Sequence, residues 1–286
     1  MNGILLIDKQ PDWTSNDVVA KLKGILRQRR IGHSGTLDPM ATGLLVVFVG
    51  RATRAVEFAE GHDKRYIAGL RLGITTDTQD ITGTVLEKRA VSVTGEELEQ
   101  ALAGFRGEIQ QIPPMYSAIK HDGRRLYDIA RKGGEVARKP RSITVHDLRV
   151  IDRQEGDWLL DVRCSKGTYV RTLCHDLGQA LGCGGCMAAL RRTAAGEYTE
   201  EEAVKLETLL EAENPGQYLR QVDSMFRNFP AVTLTENQEK RCRNGNSFSV
   251  KWPEGTYRAY SKAGEFLMLA KVENGVMETV KSFFEV

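Results

Sequence analysis

The sequence predicts an α+β protein: a mostly antiparallel mixed sheet flanked by helices, with a projecting basic insertion and a small β-rich C-terminal domain. Three observations point there. Strand-like and helix-like stretches mix without the regular strand–helix–strand rhythm or glycine fingerprint of a nucleotide-binding sheet. Several strand candidates show the partial alternation of strands with one wet face. From about Pro230 the texture changes to AVTL, SFSV, YRAYS, FLMLAKV and METVKSFF, punctuated by NGN, PEG, KAG and ENG turns. A chain of 286 residues, 41% hydrophobic and 27% charged, can bury a sizeable core. Two units are expected, residues 1–228 and 229–286.

In chain order, GILLI at 3–7, ended by Asp8, Lys9 and Pro11, reads as a short buried strand running into a loop. Ser15 or Asn16 can then cap a helix through about Gln28, with Val18, Val19, Leu22, Ile25 and Leu26 on its apolar stripe. Arg27, Arg29 and Arg30 follow at the end where the helix dipole favours cations. The glycine-rich loop GHSGTLDPMATG precedes LLVVFVG, a continuous apolar run suited to a strand buried on both faces. Further strands are expected near 66–72, 83–88, 143–151 and 158–165. Thr94 with Glu97 and Thr199 with Glu202 form capping boxes ahead of apolar-periodic stretches, and a third helix spans about 169–181. The segment at about 113–142, containing IPPMYSAIKHDGRRLYDIARKGG, reads as an insertion that is mobile in the free protein.

Net charge is only +2, but the average hides that insertion. Between Lys120 and Arg141 the chain carries eight Lys or Arg against Asp122, Asp128 and Glu135. The run before Asp8 is too short for a signal or membrane segment, so a cytoplasmic protein is expected. Five irregularly spaced cysteines do not make a disulfide framework. Cys183 and Cys186 form a CxxC with no second pair, and His175 and Asp176 beside Cys174 point apart on a helix, so both sets read as structural. No P-loop or dinucleotide motif is present, so no cofactor is expected.

Asp38 is the carboxylate that draws notice. An Asp before Pro is ordinarily a turn former. Here its loop leads into a buried strand, which places it near the central layer, where a carboxylate needs a compensating cation. Arg171, in the first turn of the helix after SKGTYVRTL, can supply it.

With these residues the resemblance becomes specific. GHSGTLDPMATGLL resembles the signature of the TruB family of pseudouridine synthases, whose catalytic aspartate stands where Asp38 stands. DKQPDWTSND, DKRYIAGLRLGITTDTQD, IPPMYSAIKHDGRRLYDIAR, SKGTYVRTL and ALRRTAAGEY agree in order and spacing, over residues 3 to about 200. The opening motif departs from the family's usual Lys-Pro-x-Gly, reading Lys9-Gln10-Pro11-Asp12-Trp13. The resemblance implies the pseudouridine synthase fold, a C-terminal PUA-like RNA-binding domain, and isomerisation of uridine to pseudouridine at position 55 in the tRNA T loop.

It implies roles residue by residue. Asp38, Arg171 and Tyr66 would be the catalytic carboxylate, its orienting cation and the ring stacked on the flipped base. His33 would plug the space that base vacates; Tyr169 and Leu190 would line the pocket; Asp80 would contact polar groups near it; and Lys9 would touch substrate. Lys120, Arg124 and Arg131 would grip phosphates. The expected partner is the tRNA T stem-loop, with no metal, no membrane and no required protein partner, and the chain a monomer. Whether Asp38 attacks the base or deprotonates the sugar stays open. A non-catalytic RNA-binding protein and a nucleosidase using Asp38 and Asp80 are the rival readings.

Overall fold

The computed structural model describes residues 1–284. Strand β1 (Gly3–Lys9), helix α1 (Ser15–Ile25), strand β2 (Ile31–Ser34) and strand β3 (Thr42–Val49) open the chain. All of β1 pairs antiparallel with β3, from Gly3 opposite Val49 to Lys9 opposite Gly43. Both strands are buried on two faces, which is why their sequence is apolar without alternation. Leu5, Ile7, Leu45, Val47 and Val49 enter one core with Val18 and Leu22 of α1 and Leu26 at its C-terminal cap. Their neighbours Ile4, Leu6, Leu44, Val46 and Phe48 enter a second core on the opposite face.

The cap of α1 is Thr14, one or two residues before the expected Ser15 or Asn16. Thr14 and Asp17 satisfy each other's backbone amides in a capping box. Ser15 is buried instead, and its Oγ accepts from the Leu37 amide at 2.9 Å. The helix stops short of Gln28 because Arg27 turns to φ 47.

Next come α2 (Val56–Glu60), β4 (Lys64–Leu72), the hairpin β5 (Ile74–Thr76) and β6 (Val85–Lys88), α3 (Gly95–Ala103) and β7 (Gly107–Gln111). The insertion holds β8 (Lys120–His121), β9 (Arg124–Arg125) and α4 (Leu126–Ala130). β10 (Arg141–Gln154), β11 (Asp157–Cys164), α5 (Val170–Ala180), β12 (Gly185–Ala195), β13 (Tyr198–Thr199) and α6 (Leu206–Glu211) complete the larger unit. Its nine-stranded sheet runs β1-β3-β12-β4-β11-β10-β7, with β2 on β3 and β13 on β12. All its pairings are antiparallel except β3 with β12 at Thr42/Arg191 and Gly43/Arg192. β2 occupies the same edge of β3 further along, at Val46–Val49. β2 and β12 thus diverge on that edge, and the loop 35–41 emerges between them.

Two expectations are corrected here. The Thr199–Glu202 capping box exists but starts only a 3₁₀ turn, Glu200–Glu202. The central strand β12 was not expected, because MAALRRTAA mixes small residues with two arginines and shows no alternation.

The C-terminal region forms a separate five-stranded sheet, β14-β16-β17-β18-β15, from β14 (Ala231–Thr233), β15 (Phe248–Ser249), β16 (Gly255–Tyr260), β17 (Phe266–Glu273) and β18 (Val276–Ser282). It also contains a helix, α7 (Glu236–Arg243), that periodicity could not show, because ENQEKRCR is almost wholly polar. A Thr235–Gln238 capping box and the buried Cys242 hold it. The sheet has its own core around Leu234, Ala259, Leu267 and Met268. Leu269 and Phe283 nevertheless join Phe226, Ile4 and Phe48 in the second core of the larger unit. Phe226 lies 6.1 Å from Phe266 and 5.9 Å from Phe283, ring centre to ring centre.

Candidate active site

Where β2 and β12 part, a cavity of about 1030 Å³ opens, and Asp38 lies on its wall. Two glycines let the loop reach this position. Gly35 has φ +71, and a Cβ there would press on the Arg192 guanidinium at 3.2 Å. Gly43 has φ +90, and any Cβ would overlap the Arg192 backbone. Ser15 holds Leu37 at the loop's centre, and Lys9 holds its far side.

The expectation that Lys9 touches substrate is corrected by its placement. Lys9 is 1% exposed, and its ammonium donates to the carbonyls of Gln10, Trp13 and Pro39 at 2.8, 2.6 and 3.0 Å. Every proton of the group is spent on main chain, so it pins the loop and has none left for RNA. Burial pushes its pKa down to about 8.

Asp38 and Arg171 meet as the sequence suggested. Arg171 Nε lies 2.8 Å from Oδ2, and Nη2 donates to Oδ1 at 3.2 Å, a two-pronged grip that fixes the carboxylate plane. Arg171 is itself held from behind by the carbonyls of Thr78 at 3.2 Å and Tyr116 at 2.8 Å. Its side chain is 7% exposed while that of Asp38 is 33% exposed, so the pair presents the carboxylate to the cavity. Burial raises the Asp38 pKa, Arg171 opposes that rise, and Asp80 adds to it.

Asp80 stands behind this pair. Its Oδ1 accepts from Thr78 Oγ1, the Thr82 amide and Thr82 Oγ1 at 2.9, 3.0 and 2.6 Å, and Oδ2 is 3.8 Å from Arg171 Nη1. It steadies the guanidinium and has little surface left for a ligand.

Tyr66 on β4, Tyr169 at the cap of α5 and Leu190 on β12 all line the cavity, as does His33 on β2. Burial, with smaller effects from neighbours, raises the pKa of the Tyr66 and Tyr169 phenols above the ordinary value. Burial and the charge of Arg192 lower the His33 pKa, so its ring is neutral at pH 7, and its Nδ1 has no partner. Gln111, invisible to sequence reasoning, brackets the Tyr169 backbone by accepting from its amide at 2.8 Å and donating to its carbonyl at 3.0 Å.

The insertion leans over the mouth. Leu126 is 2% exposed and its amide bonds Ile119 O, while Tyr127 N bonds Ser117 O. Tyr116, Ser117, Arg125, Tyr127 and Arg131 line the cavity, and Arg125 and Arg131 both stack on the Tyr127 ring at 5.7 and 5.5 Å. Of the expected phosphate contacts only Arg131 reaches the cavity; Lys120 and Arg124 are exposed on the β8–β9 hairpin outside it. Lys64, Arg125 and Arg192 are cavity residues that the sequence reading did not single out. Cys183 is buried at a tight turn, its thiol donating to Gly184 O, and Cys186 is buried at the start of β12.

Comparisons with known proteins agree along the chain. Residues 23–170 match the family model described as TruB family pseudouridylate synthase, N-terminal domain. Residues 171–223 match the one described as tRNA pseudouridylate synthase B C-terminal domain. The protein named tRNA pseudouridine synthase B of Clostridium kluyveri is 39% identical over 289 residues, covering 99% of this chain and 100% of its own. Its namesake in Syntrophomonas wolfei is 42% identical, covering 98% and 96%. Among solved structures, a Cbf5-Nop10-Gar1 complex matches with TM-score 0.74 and 26% identity over 99% of this chain and 85% of that one. An H/ACA RNP bound to a substrate RNA shares the fold, with TM-score 0.73 and 24% identity over 99% of this chain and 85% of its own.

Proposed function

From the premise that this chain belongs to the TruB family of pseudouridine synthases, we propose that it converts uridine 55 in the T loop of tRNA to pseudouridine, with Asp38 as the reacting carboxylate. The observation that carries this reading is the Asp38–Arg171 pair, a single carboxylate oriented by two prongs on the wall of a cavity large enough for a nucleotide.

The reaction breaks the bond from ribose C1′ to uracil N1 and makes one from C1′ to C5. C5 gives up a proton and N1 acquires one, so atoms and electrons balance with no cosubstrate. A carboxylate serves such a step as nucleophile or base and as proton acceptor. Burial favours the proton-accepting role by raising the Asp38 pKa, while Arg171 keeps the ionised form available.

Unstacking the base costs a few kcal/mol. Tyr66 and Leu190 offer the extruded base a ring and an apolar wall, and stacking on the tyrosine returns roughly 1–3 kcal/mol. His33, neutral and with a free Nδ1, suits the vacated space in the loop. Tyr169 closes the pocket, and Asp80 acts through Arg171 instead of on the substrate. Arg131 and Arg125 face phosphates at the mouth, with Lys120 and Arg124 further out along the RNA. The C-terminal sheet, with its own core, is a PUA-like RNA-binding domain over residues 229–286, following a catalytic domain over 1–228. The protein works as a cytoplasmic monomer; no helix among the described residues is long and apolar enough to cross a membrane. Hydrolysis of the glycosidic bond needs a second free carboxylate or an activated water, and Asp80 is committed to two threonines and Arg171.

Release of tritium from tRNA transcript carrying C5-tritiated uridine tests the proposal. Release by the wild type and none by Asp38→Asn, with tRNA binding kept, is the expected result. Tight binding without release by either protein overturns the enzymatic reading, and free uracil in the supernatant replaces it with a nucleosidase.

A further inference from the structure

Arg192 is among the largest fully buried side chains, at 1% exposure, and among the described residues no carboxylate pairs with it. A buried cation with only neutral acceptors is an expensive way to fill space. Its contacts show what it joins. Nε donates to Leu44 O at 2.7 Å and Nη2 to Gly35 O at 2.9 Å, the carbonyls just past the end and at the start of the Asp38 loop. Its backbone sits opposite Gly43 on one side and opposite Tyr66 on the other, at the point where β12 separates β3 from β4. Its charge also acts on the Tyr66 phenol, on His33 and on Lys64.

We propose that Arg192 is the positioning residue of this site: one guanidinium fastens both ends of the Asp38 loop to β12, where Arg192 itself pairs with Tyr66 of β4, so that carboxylate and ring keep one mutual geometry while RNA is drawn in. The inference rests on the isomerase reading above. Although it lies in the cavity wall, Arg192 is 1% exposed and its Nε and Nη2 are spent on the two carbonyls, so it acts through the loop and not on the substrate. The planar fork reaches the two carbonyls from separate nitrogens, Nε and Nη2, in a fixed geometry that the single-point ammonium of a lysine does not reproduce.

Arg192→Lys and Arg192→Met in the full chain, assayed with tRNA transcript, test the proposal. In both, kcat falls roughly 10²-fold, the cost of a misplacement of about 1 Å, while KM stays within about threefold. In the free protein, 13Cζ-tyrosine NMR, with Tyr66→Phe assigning the signal, shows the Tyr66 titration moving to higher pH in Arg192→Met and less in Arg192→Lys. A role in stability alone lowers the folded fraction and leaves the kcat of folded Arg192→Lys at the wild-type level, which overturns the proposal. A raised KM at unchanged kcat overturns it too, by making Arg192 an RNA contact. If Arg192→Met does not fold, the kcat and titration of Arg192→Lys decide. Absence of tritium release by the wild type defeats the isomerase reading instead, and the Tyr66 titration then tests the clamp on its own.

Discussion

Replacing Lys9 by methionine removes a cation buried to 1% exposure at little change in volume. In the native protein desolvation pulls the ammonium from an ordinary 10.5 down to about 8, against the attraction of Asp12 and Asp38. At 1.36 kcal/mol for each pKa unit, keeping Lys9 charged at neutral pH costs the fold roughly 3 kcal/mol. The sign follows from proton counts. Between about 8 and 10.5 the unfolded chain holds a proton that the native protein has released, so this group adds stability as pH rises through that window and adds none below it. The variant loses that dependence, and it leaves three carbonyls without their donor, a loss of roughly 1–3 kcal/mol for each group left unsatisfied that does not change with pH. Urea unfolding followed by far-UV circular dichroism should therefore show wild type gaining on Lys9→Met by roughly 3 kcal/mol from about pH 7 to about pH 10.5. Tyrosines and cysteines that titrate in this range are common to both proteins and cancel in the difference. Parallel stability curves, or a gap that narrows as pH rises, refute the reasoning.

Arg171→Met removes the charge that opposes the burial of Asp38, so the acidic limb of the pH–rate profile should move to higher pH as kcat falls roughly 10²-fold; a limb that stays in place or moves down contradicts the pairing. Gly43→Ala combines φ +90 with overlap onto the Arg192 carbonyl and should lose at least about 2 kcal/mol in urea denaturation, and a loss under about 0.5 kcal/mol shows that the strands can part there. All five cysteines are buried, and desolvation pushes Cys164 and Cys186 up to about 11. A disulfide reagent at pH 8 should therefore label native protein slowly and label all five thiols only after unfolding, whereas a fast stoichiometric reaction in the folded state is the opposing result.

The sequence was most informative where local chemistry and tertiary need coincide. LLVVFVG is apolar because β3 has a core on each side, and Thr94–Glu97 both begins and caps α3. The Asp38–Arg171 pair was legible as a carboxylate in a loop and a cation 133 residues later, but its geometry depends on Thr78 and Tyr116 carbonyls that carry no side-chain signal. Lys9 misled for a related reason: its substrate role came from the resemblance alone, and only the folded loop turns three carbonyls onto it. Arg192 escaped because an arginine within an RR pair reads as surface charge, whereas register puts it between Gly43 and Tyr66. The helix α7 escaped because its cap and one buried cysteine, not an apolar stripe, hold it in place.

The second core fixes how the two sheets sit against each other. Because Ile4, Phe48, Phe226, Leu269 and Phe283 pack together, the two sheets share one interior and are not two beads on a string. Arg54 bonded to Ser282 and Lys281 paired with Glu57 close the seam at its rim. The span from the Asp38 cavity to the C-terminal sheet is thereby set like the jaws of a caliper.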